Sequence, residues 1–143
     1  MWLSEDEQRV WRNYVALTDR LQAVMNRQLQ HDHELSLADY AVLVALEARP
    51  GCRISELGER LGWEQSRLSH QLTRMRTRGL VERVGAGDDR RAATVELTRQ
   101  GAAVLRVAAP RHAELVRELV FDGMSGADLR ALERWTSRVL NRL

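Results

Sequence analysis

Residues 54 to 75 read ISELGERLGWEQSRLSHQLTRM, which has the spacing of two short helices joined by a tight turn. Gly58 would let the helices approach each other, and Gly62 would form the turn. Leucines recur at helical spacing in both halves and predict a small shared core. These leucines are Leu57, Leu61, Leu68 and Leu72. The pattern predicts a helix-turn-helix, although Gln71 stands where such motifs usually have an apolar residue.

Positive charge is concentrated in the second of these helices and just after it. That helix is predicted over about residues 64–78, with Gly79 as its stop. Residues 65–91 contain seven arginines and three acidic residues, so this segment carries a net charge of +4 in a chain whose total is +2. A basic segment in an otherwise slightly acidic chain indicates a nucleic-acid-binding surface.

The period of the sequence changes after Gly79. LVERV (80–84) and ATVEL (93–97) are strand-like, and the segment GAGDD (85–89) between them is typical of a turn. Arg90 and Arg91 follow this turn directly. We therefore expect a two-stranded hairpin after the helix-turn-helix, and the combination predicts a winged helix.

Helices are also predicted on both sides of the winged helix. They span about residues 4–31, 36–49, 99–121 and 125–143. Ser4 with Glu7, and Ser36 with Asp39, have the spacing of capping boxes that begin the first two. Pro110 lies inside the third and is expected to kink or split it.

The composition indicates a single domain that works in the cytoplasm. The chain has 143 residues, of which 44% are hydrophobic, and it contains no apolar run long enough to cross a membrane and no secretory signal. Its one cysteine, Cys52, excludes an internal disulfide. No catalytic Ser-His-Asp arrangement, phosphate-binding glycine loop or carboxylate pair is evident. We therefore expect no enzymatic activity, no cofactor and no membrane partner.

Two segments resemble the multiple antibiotic resistance regulator (MarR) family of bacterial transcription factors. They are LGERLGWEQSRLSHQLTRMRTRGLVERV (57–84) and DDRRAATVELTRQG (88–101). The wing pattern of this family is an aspartate, any residue and an arginine, then a strand that ends in Leu-Thr, with a glycine soon after. The matching residues here are Asp89-Arg90-Arg91, Leu97-Thr98 and Gly101. The resemblance extends over essentially the whole chain.

The resemblance implies a mainly α fold with a small two-stranded β-wing. The winged helix-turn-helix would occupy residues 36–98, and dimerisation helices would occupy residues 4–32 and 99–143. Such a homodimer would be a sequence-specific transcriptional regulator, a repressor that responds to a small-molecule effector. It would read a pseudo-palindromic site on double-stranded DNA, with half-sites roughly 10 bp apart. The apolar faces of the terminal helices agree with a two-fold dimer.

The resemblance and the exposed polar positions together predict the DNA-binding side chains. On the second helix of the helix-turn-helix these are Gln65, Ser66, Arg67, Ser69, His70, Arg74 and Arg78. We expect Arg67 to contact guanine, and Arg74 and Arg78 to neutralise phosphates. The alternative for this helix is a solvated face.

The tip of the wing carries a second set of predicted DNA contacts. Arg91 would enter the minor groove, Asp89 would orient it, and Arg90 would contact a phosphate. The alternative for the wing is a local salt bridge in a turn, which would contribute little.

Several aromatic or apolar positions have structural and functional interpretations. Trp63 is predicted to pack over the turn or against a partner helix rather than to insert between bases. Trp11 and Tyr14 are candidates for an effector pocket between the dimerisation helices and the winged helix. The simpler interpretation is that Trp11 and Tyr14 pack, with Met25 and Trp135, in the apolar core of a dimer interface.

Two further segments suggest sensing, and each has a simpler interpretation. Cys52 is expected to be a buried small side chain rather than a redox switch. The run His31-Asp32-His33-Glu34 is expected to be a solvated linker rather than a metal site, because no further ligand cluster is evident.

Two other functions remain compatible with a winged helix. It can serve as a protein-interaction module, or as an architectural DNA binder without sequence preference. The charge of residues 65–91 argues against the first, because an interaction module has no need of seven arginines there. The second predicts steep salt dependence and little discrimination between sequences.

Overall fold

The structure, a computed structural model, describes residues 2–86 and 89–143, and the side chains of residues 86–92 lie outside what it describes. The chain divides into two compact units, Met1–Pro110 and Arg111–Leu143. The helices are α1 (Glu5–His33), α2 (Leu37–Ala48), α3 (Ile54–Leu61), α4 (Gln65–Thr77), α5 (Arg99–Val116) and α6 (Gly126–Leu140). The strands are β1 (Cys52–Arg53), β2 (Val81–Ala86) and β3 (Asp89–Leu97). The predicted winged helix-turn-helix, mainly α with a small β-sheet, is confirmed.

Both predicted capping boxes are present. The Ser4 hydroxyl accepts a hydrogen bond from the Glu7 backbone at 3.2 Å, and the Glu7 carboxylate accepts one from the Ser4 backbone at 2.7 Å. The Ser4 backbone N–H first, and the Ser4 side chain second, stabilise the charged carboxylate and lower the pKa of Glu7. Ser36 and Asp39 make the same reciprocal pair at the start of α2, with both distances 2.9 Å. Local hydrogen bonding therefore sets where the first two helices begin.

The helix-turn-helix formed by α3 and α4 is confirmed, with the two predicted glycines in their expected roles. Gly62 ends α3 with φ +68°, a left-handed conformation that glycine adopts without strain. A Cβ at Gly58 would lie 3.3 Å from the Trp63 carbonyl oxygen and would collide with the Gln65 side chain. The close approach of the two helices therefore depends on a small residue at position 58.

The sheet has three strands rather than the predicted two. All pairs are antiparallel, in the order β1-β3-β2, and Cys52 pairs with Val95 while Arg53 pairs with Thr94. The hairpin itself is confirmed, with Val81 opposite Leu97. The prediction missed β1 because a two-residue strand is too short to show any periodicity. Only its distant partner strand reveals it.

An apolar core packs the elements of the winged helix together and decides which face of α4 points inward. Its members come from α1 through α4, from the sheet and from the first half of α5. The largest fully buried side chains are Leu29, Leu35, Val42, Leu43, Leu46, Leu57, Leu68, Met75 and Leu105. Helix α4 contributes Leu68, Leu72 and Met75 to this core, so its opposite face is exposed to solvent.

The first helix is long, but little of it is buried within its own chain. Of its 29 residues, only Leu29 is buried, whereas Val10, Trp11 and Leu17 are more than half exposed. Among the residues that the structure describes, no helix combines the length and apolarity needed to cross a membrane. The apolar side chains of α1 are thus exposed over much of its length.

Of the two outcomes expected at Pro110, a kink or a split, the structure excludes the split. Helix α5 is not split at Pro110, because helical backbone continues to Val116 and one π turn, Arg117–Phe121, follows. A single proline removes one backbone hydrogen bond, which the neighbouring turns tolerate here. Helix α6 begins after Ser125, whose hydroxyl accepts a hydrogen bond from the Asp128 backbone at 3.1 Å. Along its fully described length, α6 has no buried residue.

Candidate nucleic-acid interface

The first two turns of α4 present a continuous polar face. Five predicted DNA-binding side chains lie there, and all are exposed: Gln65, Ser66, Arg67, Ser69 and His70. Leu68, between them in sequence, is fully buried on the opposite side. The helix is thus anchored by its apolar stripe while its polar N-terminal half is accessible. This is the arrangement that a helix needs to enter the major groove.

Arg67 is held in place by an aromatic neighbour. Its guanidinium carbon lies 4.3 Å from the centroid of the Trp63 ring, a cation–π contact. Trp63 is itself half-buried and packs against the core of its own chain, so it has the packing role that the sequence predicts for it. The side chain predicted to contact guanine is therefore oriented by a residue of the turn.

The second half of α4 has a polar network in place of the expected apolar contact. Gln71 is buried, and its amide nitrogen donates a hydrogen bond to a carboxylate oxygen of Asp39. Arg74 donates a hydrogen bond to the Gln71 amide oxygen at 2.8 Å, and Arg78 donates one to Asp39 at 2.8 Å. The departure at Gln71 is thus compensated by partners from α2 and α4. The two arginines predicted to contact phosphates both have partners inside the chain.

The wing lies at the end of the hairpin that joins β2 to β3. Asp89, Arg90 and Arg91 form the start of β3, and Asp89 is paired with Ala86 across the hairpin. Their side chains, and the whole of residues 87–88, lie outside the described part of the structure. Their assigned roles in the minor groove therefore stay predictions.

A surface pocket of about 590 Å³ lies beside Arg67 and was not predicted from the sequence. It is lined by Asp19, Gln22, Ala23 and Asn26 of α1, by Leu37, Ala38 and Ala41 of α2, and by Trp63 and Arg67. These residues come from three separate regions of the sequence, so no local pattern marks them. The pocket therefore lies between the first two helices and Arg67, the side chain predicted to contact guanine.

The two aromatic residues predicted for an effector pocket lie elsewhere on α1. Trp11 and Tyr14 stack on each other, with ring centroids 5.8 Å apart and ring planes 23° apart. Both are exposed, and neither lines the pocket beside Arg67. Trp11 lines a separate depression of about 300 Å³ near the N-terminus, together with Trp2 and Leu3.

The two candidate sensing segments have ordinary local environments. Cys52 is only 3% exposed and points its thiol at the Arg53 carbonyl oxygen, 3.4 Å away, so its predicted burial is confirmed. The run from His31 to Glu34 is not the expected linker, because His31 to His33 end α1 and Glu34 caps that helix. His31 contacts its neighbour Asp32 at 2.9 Å. Within the described residues, no group of three or more histidine, cysteine or acidic side chains could hold a metal ion.

Comparison with known proteins agrees with this geometry. A MarR family model matches residues 33–92. The structure of AbsC, a MarR family transcriptional regulator from Streptomyces coelicolor, is 33% identical, with a TM-score of 0.91 over 99% of this chain and 97% of AbsC. A second MarR family regulator from the same organism, solved in complex with DNA, is 34% identical, with a TM-score of 0.93 over 100% of this chain and 91% of that one. The chain belongs to the MarR family.

As a MarR family member, the protein is a DNA-binding transcription regulator. The PcaV transcriptional regulator from Streptomyces coelicolor, solved with its natural ligand, is a more distant relative: it is 28% identical, with a TM-score of 0.72 over 87% of this chain and 89% of PcaV. No curated protein sequence matches the chain.

Proposed function

We propose that this MarR family regulator is a homodimeric, ligand-responsive repressor that binds a pseudo-palindromic operator. Residues 64–78 would enter the major groove, and the wing, residues 85–92, would enter the minor groove. The observation that carries the proposal is the exposed polar face of α4, with Arg67 fixed on Trp63 above a fully buried apolar stripe. A relative that is 34% identical has been solved in complex with DNA, which supports the same use of this fold.

Each exposed group on α4 and the wing has a role suited to its chemistry. Arg67 has the planar pair of donors that recognises guanine in the major groove. Gln65, Ser66, Ser69 and His70 would contact base edges or phosphates, and Arg74 would use its remaining N–H groups on a phosphate. On the wing, Asp89 would orient Arg91 in the minor groove while Arg90 contacts the backbone. Arg78 is left out of this set because both of its terminal nitrogens already donate inside the chain, one to Asp39 and one to the Glu34 carbonyl oxygen.

The dimer is supported by apolar side chains that the single chain leaves exposed on its terminal helices. On α1 they are Val10, Trp11, Tyr14, Val15 and Leu17; on α5 and after it they are Val107, Leu119 and Phe121; on α6 they are Leu129, Leu132 and Leu140. Burying such faces between two copies is the ordinary way to satisfy them. A two-fold axis would then hold two α4 helices for successive major grooves.

The effector response is supported by the pocket beside Arg67. A small molecule bound there would contact α1, α2 and the Trp63–Arg67 pair together, so it would displace α4 relative to the first two helices. In a dimer, such a displacement would change the spacing of the two recognition helices and weaken operator binding. That PcaV has been solved with its natural ligand supports a ligand response within this family.

Operator binding is tested by titrating the full-length protein against two labelled duplexes at about 150 mM salt. One duplex is selected by the protein itself from a random-sequence pool, and the other has the same composition in scrambled order. We expect a preference of about 10³ or more, which Arg67→Ala lowers and Arg142→Ala, an exposed arginine near the C-terminus, leaves intact. Equal binding to both duplexes would instead indicate an architectural protein. No binding to either would favour a protein-interaction module.

The effector proposal has its own test. Small aromatic acids and phenols are screened for release of the selected duplex, and Ala38→Trp is used to fill the pocket beside Arg67. We expect an active compound to release DNA from the wild-type protein and to have little effect on the variant. Equal release from both proteins would place the effector elsewhere. If no ligand, oxidant or metal changes operator affinity, the ligand-responsive part of the proposal is wrong.

A further inference from the structure

We propose that Asp39 is a positioning residue for the recognition helix α4, and that Arg78 acts with it to hold that helix rather than to contact a DNA phosphate. The inference rests on the proposed function, in which α4 reads the operator. It assigns a role to a carboxylate of α2, outside the helix-turn-helix, and it changes the role predicted for Arg78 from the sequence.

Both carboxylate oxygens of Asp39 are occupied, and the side chain is only 7% exposed. One oxygen accepts the hydrogen bond from the Gln71 amide. The other accepts hydrogen bonds from Arg78, at 2.8 Å, and from the backbone of Ser36, at 2.9 Å. A buried carboxylate with this many donors is satisfied only while α2 and α4 keep their present alignment.

Arg78 connects α4 to a third element. It follows Thr77, the last residue of α4, and its second terminal nitrogen donates a hydrogen bond to the backbone carbonyl of Glu34. Glu34 is the left-handed residue, with φ 55°, that ends α1. One guanidinium therefore joins the end of α1, the start of α2 and the end of α4, through a two-pronged geometry that lysine could not reproduce.

The network fixes the rotation of α4 about its own axis. Gln71 and Arg78 are seven positions apart, close to two helical turns, so they lie on one face and meet the same carboxylate. Apolar contacts made by Leu68, Leu72 and Met75 are non-directional and would tolerate a small rotation. Because Arg67 lies one turn before Gln71, a rotation that breaks the Gln71–Asp39 hydrogen bond would also displace Arg67 from a base edge.

A phosphate that drew Arg78 away from Asp39 would have to compete with this internal arrangement. Turning the guanidinium toward DNA would remove a charged donor from a carboxylate that is 7% exposed. Leaving a buried charge short of a partner is costly, because water does not replace the missing hydrogen bonds. Arg76 is also exposed and lies two positions earlier, beside the sheet, so it serves as a matched control.

The experiment measures the operator affinity of the full-length protein as a function of salt concentration. The probe is the duplex selected by the wild-type protein, and the variants are Arg78→Gln, Asp39→Asn, their double variant and the control Arg76→Gln. We expect Arg78→Gln to weaken binding by about tenfold or more, in keeping with the loss of hydrogen bonds to a charged group, and to leave the slope of log K against log salt unchanged. The double variant should lose no more affinity than the weaker-binding single variant.

Three results would overturn the proposal. A salt slope that is shallower by about 0.9 in Arg78→Gln than in the wild-type protein would show that Arg78 touches phosphate. Affinity losses that add in the double variant would show that Arg78 and Asp39 act independently. Unchanged affinity and operator preference, with only a lower unfolding temperature, would show a purely structural role.

If Asp39→Asn fails to fold, the Arg78→Gln affinity and salt slope still decide the question. Retained operator preference in Arg67→Ala would mean instead that the proposed reading by α4 is wrong.

Discussion

The guanidinium of Arg67 rests on the Trp63 ring, and this contact limits the freedom of a long side chain. An unrestrained arginine loses rotamer entropy worth up to about 2 kcal/mol when it is fixed by a ligand. Trp63 reduces that loss because it holds the guanidinium 4.3 Å from the ring centroid at the exposed start of α4. We infer that a residue of the turn contributes to DNA recognition through its neighbour.

We therefore expect Trp63→Leu to weaken operator binding by about 0.5–1 kcal/mol, the usual strength of an exposed cation–π contact. Trp63→Phe should lose less, since a smaller aromatic face remains. Fluorescence anisotropy with the selected duplex measures both. Trp2→Leu, at a tryptophan that is 94% exposed, is the control. Wild-type affinity in Trp63→Leu would contradict the role of the indole.

Cys52 permits a second prediction at the scale of a single residue. Because its side chain is 3% exposed and sits in a strand of the sheet, alkylation requires local or global opening. We expect iodoacetamide to react with the native protein far more slowly than with protein unfolded in guanidinium, as followed by mass spectrometry. Rapid labelling of the native protein, together with loss of DNA binding on mild oxidation, would restore the redox interpretation.

Among the elements, the two-residue strand β1 links the helix-turn-helix to the wing. It lies directly before α3 and pairs with β3, so β3 is the central strand of the sheet. The start of α3 and the base of the wing are thereby held by the same backbone hydrogen bonds. This backbone pairing connects the helix-turn-helix to the strand that carries the wing, within the first unit of the chain.

His112 in helix α5 makes the stability of the folded chain depend on pH. Burial lowers the pKa of His112 from its ordinary value of 6.5, so the folded chain favours the neutral ring. The associated stability is fully present above the unfolded-state pKa and is lost as the pH falls through the lower folded-state pKa. We expect the free energy of unfolding to decrease as the pH is lowered below about 6.5.

Urea unfolding followed by circular dichroism at a series of pH values measures this effect. His112→Gln should reduce the loss of unfolding free energy at low pH, because glutamine does not titrate. His70→Gln, at an exposed histidine of α4, should leave it unchanged. If the two variants show the same pH dependence as the wild-type protein, His112 is not the responsible group.

At the scale of the whole molecule, the exposed apolar faces of the terminal helices predict the oligomeric state. We expect the wild-type protein to be a dimer by sedimentation equilibrium. The double variant Leu129→Glu with Leu132→Glu, which introduces charge on the exposed apolar face of α6, should be monomeric. It should also bind the operator more weakly, because only one recognition helix can then engage. Val84→Glu, at an exposed apolar position of the wing, should remain dimeric.

The helices and their ends were predictable because local interactions determine them. The capping residues Ser4, Ser36 and Ser125, and the glycine turn at Gly62, act over three or four positions of the chain. The spacing of apolar and polar residues along α4 likewise predicts which side faces the core. Together with the wing pattern, these local signals sufficed to predict the winged helix and its polar face.

Long-range contacts were not predictable in the same way. Asp39 meets Gln71 and Arg78 across 32 and 39 positions, and β1 meets β3 across a span that contains the whole helix-turn-helix. The pocket beside Arg67 is likewise assembled from three helical regions that no single pattern links. Sequence alone thus determined the type and order of the helices and of the two hairpin strands, since backbone hydrogen bonding and amphipathic periodicity are local. Tertiary structure alone decided the partners of Gln71 and Arg78. A buried polar group forms hydrogen bonds with the groups that packing places beside it, and these can be far away in the sequence.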